Sequence, residues 1–472
     1  MERSHSRREF LSLAAMPLLS QVAPAQTGSK PNFIFFLVDD LGWADVGAFG
    51  SRYHRTPNID ALASRGMKFT QGYAACPVCS PTRASIQTGK YPARLGVTNW
   101  LPGLHQLPYS KLIAPKSRQE LPLKEVTLAE ALKPAGYRTA HIGKWHLGGK
   151  GFLPQDQGYD ANVGGSSAGS PKSYFYPEWG DRPPITAQPG EYLTDRLTRD
   201  AVAFVRENKD RPFFLNFDFY NVHIPLEAKK EMAAQYPNAP HPVYAAMVQS
   251  VDDAISKVMA EVEKHGLTNR TVVVFMSDNG GLTVPEWRCQ TPTNNAPLRE
   301  GNGHLYEGGI REPWIVCWPG VAKAGSVCET PVVSTDFFPT LAAIAGVPKA
   351  GDPADGISLV PLLRGGKALS REAIYWHYPH YSNQGGKPGG AIRQGDYKLI
   401  EFYEDHRVEL YRVPQDIGEK NDLAAKMPAK AAELRAKLAD WRKRMNAVMP
   451  QPNPKYDPKR EWEGFSWKQR CV

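Results

Sequence analysis

Two short runs of carboxylates and amides hold the first chemical information in this chain. Asp39 and Asp40 close the apolar stretch "NFIFFLVDD", and Asp278 and Asn279 follow the apolar run in "RTVVVFMSDNGG". Clustered oxygen ligands suit a hard dication, Ca²⁺ or Mg²⁺, whereas Zn²⁺ would need more His or Cys. Either pair alone serves equally well as a helix cap or turn, so a metal site requires the two pairs to meet. Other titratable groups follow apolar runs in the same way: Lys144 and His146 in "GKWHLG", and His223 in "NVHIP". The stretch "AACPVCSPTRASIQTGK" adds Cys76 and Cys79, three positions apart. A zinc C-x-x-C site needs a second pair at suitable spacing, and none exists. A redox pair is expected to open a helix of a small thioredoxin-like unit. On spacing alone, a redox pair, a disulfide and two bland thiols are equally good readings.

The elements that must position these groups alternate. "NFIFFLV", "YRTAHIG", "RPFFLNFDF" and "RTVVVFMS" read as strands buried on both faces. Between them, "TLAEALKPAG" reads as a helix starting at Thr127 and stopping near Gly136, and "YAAMVQSVDDAISKVMAEVEKHG" has helical spacing up to Gly266. "TDFFPTLAAIAG" is a further short helix. Strand–helix alternation implies an α/β fold, a mostly parallel sheet flanked by helices. In such sheets ligands bind beyond the carboxyl ends of the strands, which is where the polar residues recur. The texture changes at "GVPKAGDPADG". Beyond it, "AIRQGDYKLIEFYEDHRVELYRV" alternates like an antiparallel meander and "MPAKAAELRAKLADWRKRMNAVM" is an amphipathic helix. The expected division is a large domain over 30–349 and a smaller α+β domain over 350–472 that ends in a tail.

Cys79-Ser80-Pro81-Thr82-Arg83, continued by Thr88-Gly89, matches the C-x-P-x-R signature of the sulfatase family. "DDLGW", "TPNIDALASRGMKF", "GKWHLG", "VHIP", "SDNGG", "YEGGIREP" and "DGISLVPLL" resemble further landmarks of that family, in the family's order. The chain therefore resembles the formylglycine-dependent, arylsulfatase-like sulfatases of the alkaline-phosphatase-like superfamily, over nearly all of residues 30–472.

The resemblance implies that Cys79 is oxidised to a formylglycine aldehyde by a formylglycine-generating enzyme, with Cys76 a bystander. It implies that Asp39, Asp40, Asp278, Asn279 and an oxygen of modified Cys79 hold Ca²⁺, or Mg²⁺. Arg83 would steady the aldehyde hydrate, Lys144 would bind sulfate, and His146 and His223 would bind sulfate and move protons. One hydroxyl of the hydrate would attack sulfur to give a covalent sulfate ester, and the second would lose its proton to expel sulfate. His223 is assigned as acid to the leaving oxygen and also to substrate binding; His146 is assigned as base, with Asp278 assisting the attacking hydroxyl. One departure stands out. Asn302 occupies the place of a customary lysine that contacts sulfate, so either His304 or another cation compensates, or leaving-group protonation rests more heavily on His223; Asn302 and His304 are both counted as substrate-binding. Thr82 stands where Ser is commoner, a change that leaves the oxidised Cys-Pro-Arg pattern intact.

The N-terminus carries a different message. "SHSRREFLSLAAMPLLSQVAPAQ" has twin arginines, Arg7 and Arg8, a short apolar run and an Ala23-Pro24-Ala25 site, the layout of a twin-arginine export signal over residues 1–25. A bacterial protein exported folded by the twin-arginine machinery, to the periplasm or beyond, is the expectation; no segment is long and apolar enough to be read as a stable membrane span. The 472 residues carry a formal charge of +9, which favours anionic substrates. No basic helix, zinc-finger spacing or aromatic-basic motif points to nucleic acid. Six cysteines with irregular spacing allow one or two disulfides of unreadable pairing. The aromatic segments "NWLPGLHQLPYSK" and "YWHYPHYSNQ" suggest sugar contacts, with His377, His380 and Tyr381 expected to reach over the pocket. Hydrolysis of sulfate esters on a carbohydrate is the leading reading. A phosphoester or phosphonate hydrolase of the same superfamily, or a non-catalytic glycan-binding protein with unmodified Cys79, are the alternatives.

Overall fold

Residues 33–38 offer no polar face to solvent. In the computed structural model, which describes residues 30–347, 354–461, 463–464 and 471, they lie at the centre of a sheet covered on both sides. The strands in chain order are β1 Asn32–Val38, β2 Met67–Tyr73, β3 Leu112–Ile113, β4 Arg138–Gly143, β5 Ala161–Val163, β6 Phe213–Asp218, β7 Thr271–Ser277 and β8 Arg311–Cys317. They continue with β9 Ser326–Cys328, β10 Val332–Val333, β11 Ile374–Tyr378, β12 Gly389–Gln394, β13 Tyr397–Phe402, β14 Val408–Arg412 and β15 Gln451–Pro452. The large sheet runs β10-β2-β8-β7-β1-β6-β4-β5, with β9 also on β2. All its pairings are parallel except those of β8, which runs antiparallel to β2 and β7.

The period of two in β1 divides its side chains between two cores. Ile34, Phe36 and Val38 pack with the helices Leu193–Glu207 and Pro242–Lys264. Phe33, Phe35 and Leu37 pack with the helices Leu128–Leu132 and Phe337–Ile344. Helix starts and stops follow local chemistry. Thr127 and Glu130 form a reciprocal capping box, and Gly136 takes the left-handed φ of 85° that ends the helical segment before β4.

The expected meander forms a four-stranded antiparallel sheet, β11-β12-β13-β14. Its faces also alternate. Trp376 turns toward the large sheet and donates Nε1 to the carbonyl of Ala74, 2.8 Å away, while Tyr375 stacks on Trp441 of the helix Pro428–Arg444. The expected boundary near residue 350 and the leader over 1–25 both lie outside the described residues. Part of the expected tail is docked: Asn453 donates its backbone N–H to the carbonyl of Lys111 at 3.0 Å, just after β15 pairs with β3, and Cys471 is disulfide-bonded to Cys289.

A buried ion cluster ties the small sheet to the large domain. Lys398 on β13 lies 3.0 Å from Glu307 and 2.9 Å from Glu419, all with fully buried side chains. Tyr73 donates to Glu307 across 2.8 Å, and Arg311 lies 3.3 Å from the same oxygen. Against the upward push of burial, Lys398 holds the Glu307 carboxyl low; burial wins at Glu419, whose carboxyl is raised despite Lys398. Removing the lysine leaves Glu419 without its ion-pair partner and Glu307 with Arg311 alone. Lys398→Met is therefore expected to lower unfolding stability by roughly 3–5 kcal/mol. Urea denaturation measures this, and a loss below about 1 kcal/mol would show that the cluster does not hold the two sheets together.

Candidate active site

β1 and β7 are parallel neighbours with Val38 opposite Ser277, so Asp39-Asp40 and Asp278-Asn279 leave the sheet side by side. One oxygen from each of Asp39, Asp40 and Asp278 lies within 4.8 Å of the others, and all three residues are buried. Asp40 has a left-handed φ of 57°, a conformation that costs a non-glycine residue of order 1–3 kcal/mol and that the surrounding structure must enforce.

Two cations hold these charges together. Lys144 Nζ is 2.6 Å from Asp39 Oδ2. Arg83 contacts Asp278 at 2.8 Å, the backbone oxygen of Lys144 at 2.7 Å and Asp218 at 3.3 Å. Burial alone would depress Lys144, but Asp39 raises it, so the ammonium stays charged. Burial, then Asp39, push Asp278 up to about 6. Four carboxylates (39, 40, 218, 278) against two cations leave a formal charge of −2, which one dication balances. Asp39 Oδ1 and Asn279 Oδ1 are buried without a hydrogen-bond partner, and unsatisfied buried oxygens are what a hard cation takes as ligands. The donor set fits Ca²⁺ or Mg²⁺.

Cys79 is the first residue of the helix Cys79–Thr88, where the free N–H groups and helix dipole favour an anion. Pro81 is tolerated because it falls in the first turn. Thr82 donates to the carbonyl of Cys76 at 3.0 Å. The Sγ of Cys79 lies 3.3 Å from His146 Nδ1, and His146 Nε2 meets the carbonyl of Leu101. A carbonyl only accepts, so Nε2 carries the proton and Nδ1 presents its lone pair to residue 79. Burial, then Lys144, hold His146 well below the usual imidazole range, which keeps the ring neutral. The ring is accommodated because residue 169 is glycine: a Cβ there would lie 2.5 Å from His146 Cε1. Gly143, at φ 102°, lets β4 approach β6 where any Cβ would collide with the Asp218 carbonyl, 1.8 Å away.

These groups open into a cavity of about 320 Å³ lined by Asp40, Cys79, His146, His223 and Asn302. His223 Nδ1 donates to the carbonyl of Ile224 at 2.7 Å, and its Nε2 is 3.8 Å from Asp40. Asn302 donates Nδ2 to Asp40 Oδ1 at 2.6 Å, the same oxygen that receives Asn279. Residue 302 therefore sits on the carboxylate cluster. His304 does not line the cavity; its ring faces the Asn302 carbonyl at 3.1 Å and Glu300 at 3.9 Å.

The expected reach of His377, His380 and Tyr381 is corrected by the structure. His377 bonds Tyr403 and the carbonyl of Val448, His380 bonds Thr98, and Tyr381 bonds Glu404. The same segment instead sends Asn383 and Gln384 into the cavity, where both amides donate to Glu286. Arg182, Glu286 and Trp100 also line it. Arg182 and Glu286 carry no motif that distinguishes them in the sequence. Asp218 was recognisable in principle, as a carboxylate ending the apolar strand "FFLNFD" in the manner of Asp39.

The sulfatase family matches residues 31–347, and the family described as N-sulphoglucosamine sulphohydrolase, C-terminal, matches residues 302–446. A sulfatase of Formosa agariphila is 31% identical, covering 94% of this chain and 95% of its own. Human arylsulfatase A is 33% identical, over 82% of this chain and 77% of its own. Among solved structures, Ps i-CgsB in complex with k-i-k-neocarrahexaose superposes with a TM-score of 0.75 at 30% identity, covering 93% of this chain and 97% of that one.

The site makes a testable statement about residue 79 as encoded. Burial pushes its thiol up to about 12, with Lys144 opposing and the carboxylates reinforcing. In protein whose Cys79 is left as cysteine, alkylation at pH 8 should be roughly a thousandfold slower in the native state than after unfolding, because the thiolate is scarce. Peptide mapping after iodoacetamide measures this. Faster native alkylation would mark an activated redox cysteine instead.

Proposed function

The chain belongs to the sulfatase family and is a sulfuric ester hydrolase, and we propose that it acts on a sulfated carbohydrate with formylglycine at position 79. The observation that carries this reading is the position of residue 79. Its side chain lies against the Nδ1 of a neutral histidine, on the floor of the same cavity as the buried carboxylate cluster. A plain binding protein has no need of that arrangement. Glycan as the substrate is supported by the neocarrahexaose in the similar solved structure and by a cavity that joins Trp100 to amide and carboxylate groups.

Each group then has a task. Formylglycine, once hydrated, supplies two hydroxyls: one to attack sulfur, one whose deprotonation lets sulfate leave. A Ca²⁺ held by Asp39, Asp40, Asp278 and Asn279 would polarise sulfate oxygens. His146 Nδ1 takes a proton from the side chain at 79. Arg83 holds Asp278 in place and adds positive charge beneath the floor. Lys144, bonded to Asp39, offers a second cation there. His223 Nε2 delivers a proton to the sugar oxygen, which as an alkoxide is a poor leaving group; such acid catalysis contributes roughly 10²–10⁴-fold. Export belongs to the same proposal: a twin-arginine leader over 1–25 sends a folded protein, already oxidised at Cys79 in the cytoplasm, to an oxidising compartment. The Cys289–Cys471 disulfide supports that destination.

Matched aryl sulfate and aryl phosphate esters test the reaction. Sulfate release should dominate and should fall by at least about a thousandfold in Cys79→Ala. Preferred phosphate release, or full turnover by Cys79→Ala, would overturn the assignment. His223→Ala should cost roughly 10²–10⁴-fold on a sugar sulfate and far less on nitrophenyl sulfate, whose leaving group needs no proton. Equal losses on both would remove His223 as the acid.

A further inference from the structure

The floor of the cavity and its mouth differ in exposure. Cys79, His146 and Asn302 are buried to 8%, 2% and 7% exposure, so the scissile sulfate is received at depth. Arg182 lines the same cavity yet is exposed, which places it at the mouth, beside the part of the substrate that projects away from the sulfate. No hydrogen bond or ion pair among the described residues engages its guanidinium. Asp181 is adjacent but already bonded to Lys172 at 2.7 Å. The carboxylate that shares the cavity, Glu286, is bonded by Asn383 and Gln384.

The loop that carries Arg182 is fixed rather than loose. Its backbone N–H donates to the carbonyl of Trp179 at 3.0 Å, and Trp179 is fully buried with Nε1 on the carbonyl of Ile185. The next residue, Pro183, is buried. A turn held by these bonds thus places a solvated arginine on the cavity, with Asp181 the nearby charge and no hydrogen bond or ion pair among the described residues, and a guanidinium fork is the group that recognises a planar carboxylate or a sulfate.

We propose that Arg182 is a specificity residue that binds a second anionic group, a uronate carboxylate or another sulfate, on the saccharide carrying the scissile sulfate. The assignment rests on the carbohydrate-sulfatase reading and narrows it to sugars with two negative charges. Arg182 takes no part in bond breaking. Its contribution is to hold the projecting end of the substrate, so it acts on KM more than on kcat.

The experiment compares mature wild-type protein with Arg182→Ala and Arg182→Lys. Substrates and competitors are nitrophenyl sulfate, with one charge, and panels of monosulfated, disulfated and uronate-bearing disaccharides. Wild type should favour two-charge saccharides over single-charge ones, with the preference weakening as salt rises. Arg182→Ala should reduce kcat/KM for two-charge saccharides by roughly 10- to 100-fold more than for nitrophenyl sulfate, through KM. Arg182→Lys should recover part of the preference. Which panel loses most separates carboxylate from sulfate as the second group. Equal losses on every substrate, or no charge preference in wild type, would overturn the proposal while leaving the sulfatase reading intact. Sulfate release from nitrophenyl sulfate but from no saccharide would defeat the carbohydrate reading itself.

Discussion

Three carboxylates held within a few ångströms of one another, away from water, are the constraint that the rest of this structure answers. Each pair repels by roughly 3–4 kcal/mol even at an effective dielectric of about 20, so Asp39, Asp40 and Asp278 need compensation to remain together. The fold supplies it from several directions: Lys144 from the loop after β4, Arg83 from the helix beginning at Cys79, and Asn279 and Asn302 as neutral donors. The parallel register of β1 and β7 forces the charges together. One dication would complete the balance.

The same arrangement explains where residue 79 sits. The first turn of the helix Cys79–Thr88 brings residue 79 to the rim of the sheet, and Arg83, one turn later, reaches back to Asp278. One short helix thereby couples residue 79 to the carboxylate cluster. His146 and His223 approach from loops after β4 and β6, with opposite hydrogen-bonding logic. His146 donates to Leu101 through Nε2 and faces residue 79 with Nδ1; His223 donates to Ile224 through Nδ1 and faces Asp40 with Nε2. The carbonyl each histidine meets thus decides which ring nitrogen is left to face residue 79 or Asp40.

Much of this was legible in the sequence because it obeys short-range rules. Apolar runs ending in Asp or His announce strands of a parallel sheet whose carboxyl ends meet, and the Cys-x-Pro-x-Arg pattern fixes residue type at helical spacing. What stayed hidden depends on orientation across the fold. His377 follows Tyr375 by two positions on β11, so the strand period turns it to the face covered by Val448 and the helix Pro428–Arg444, away from the cavity. The loop beyond that strand, with Asn383 and Gln384, does reach the cavity, and no periodicity governs it. Arg182 and Glu286 lie on loops where composition says nothing about direction. His304, two residues from Asn302, shows the same limit: Asn302 meets Asp40, while His304 turns to a backbone carbonyl.

The most direct test of the account is calcium binding followed by stability rather than by turnover. Chelator-treated protein, titrated with Ca²⁺ and unfolded thermally, should gain stability saturably, by about 2.7 kcal/mol at a hundredfold excess over Kd. The gain should disappear in Asp40→Asn/Asp278→Asn. A titration with either Ca²⁺ or Mg²⁺ that leaves the unfolding temperature unchanged, or that stabilises the double variant equally, would contradict a cation site at the ends of β1 and β7.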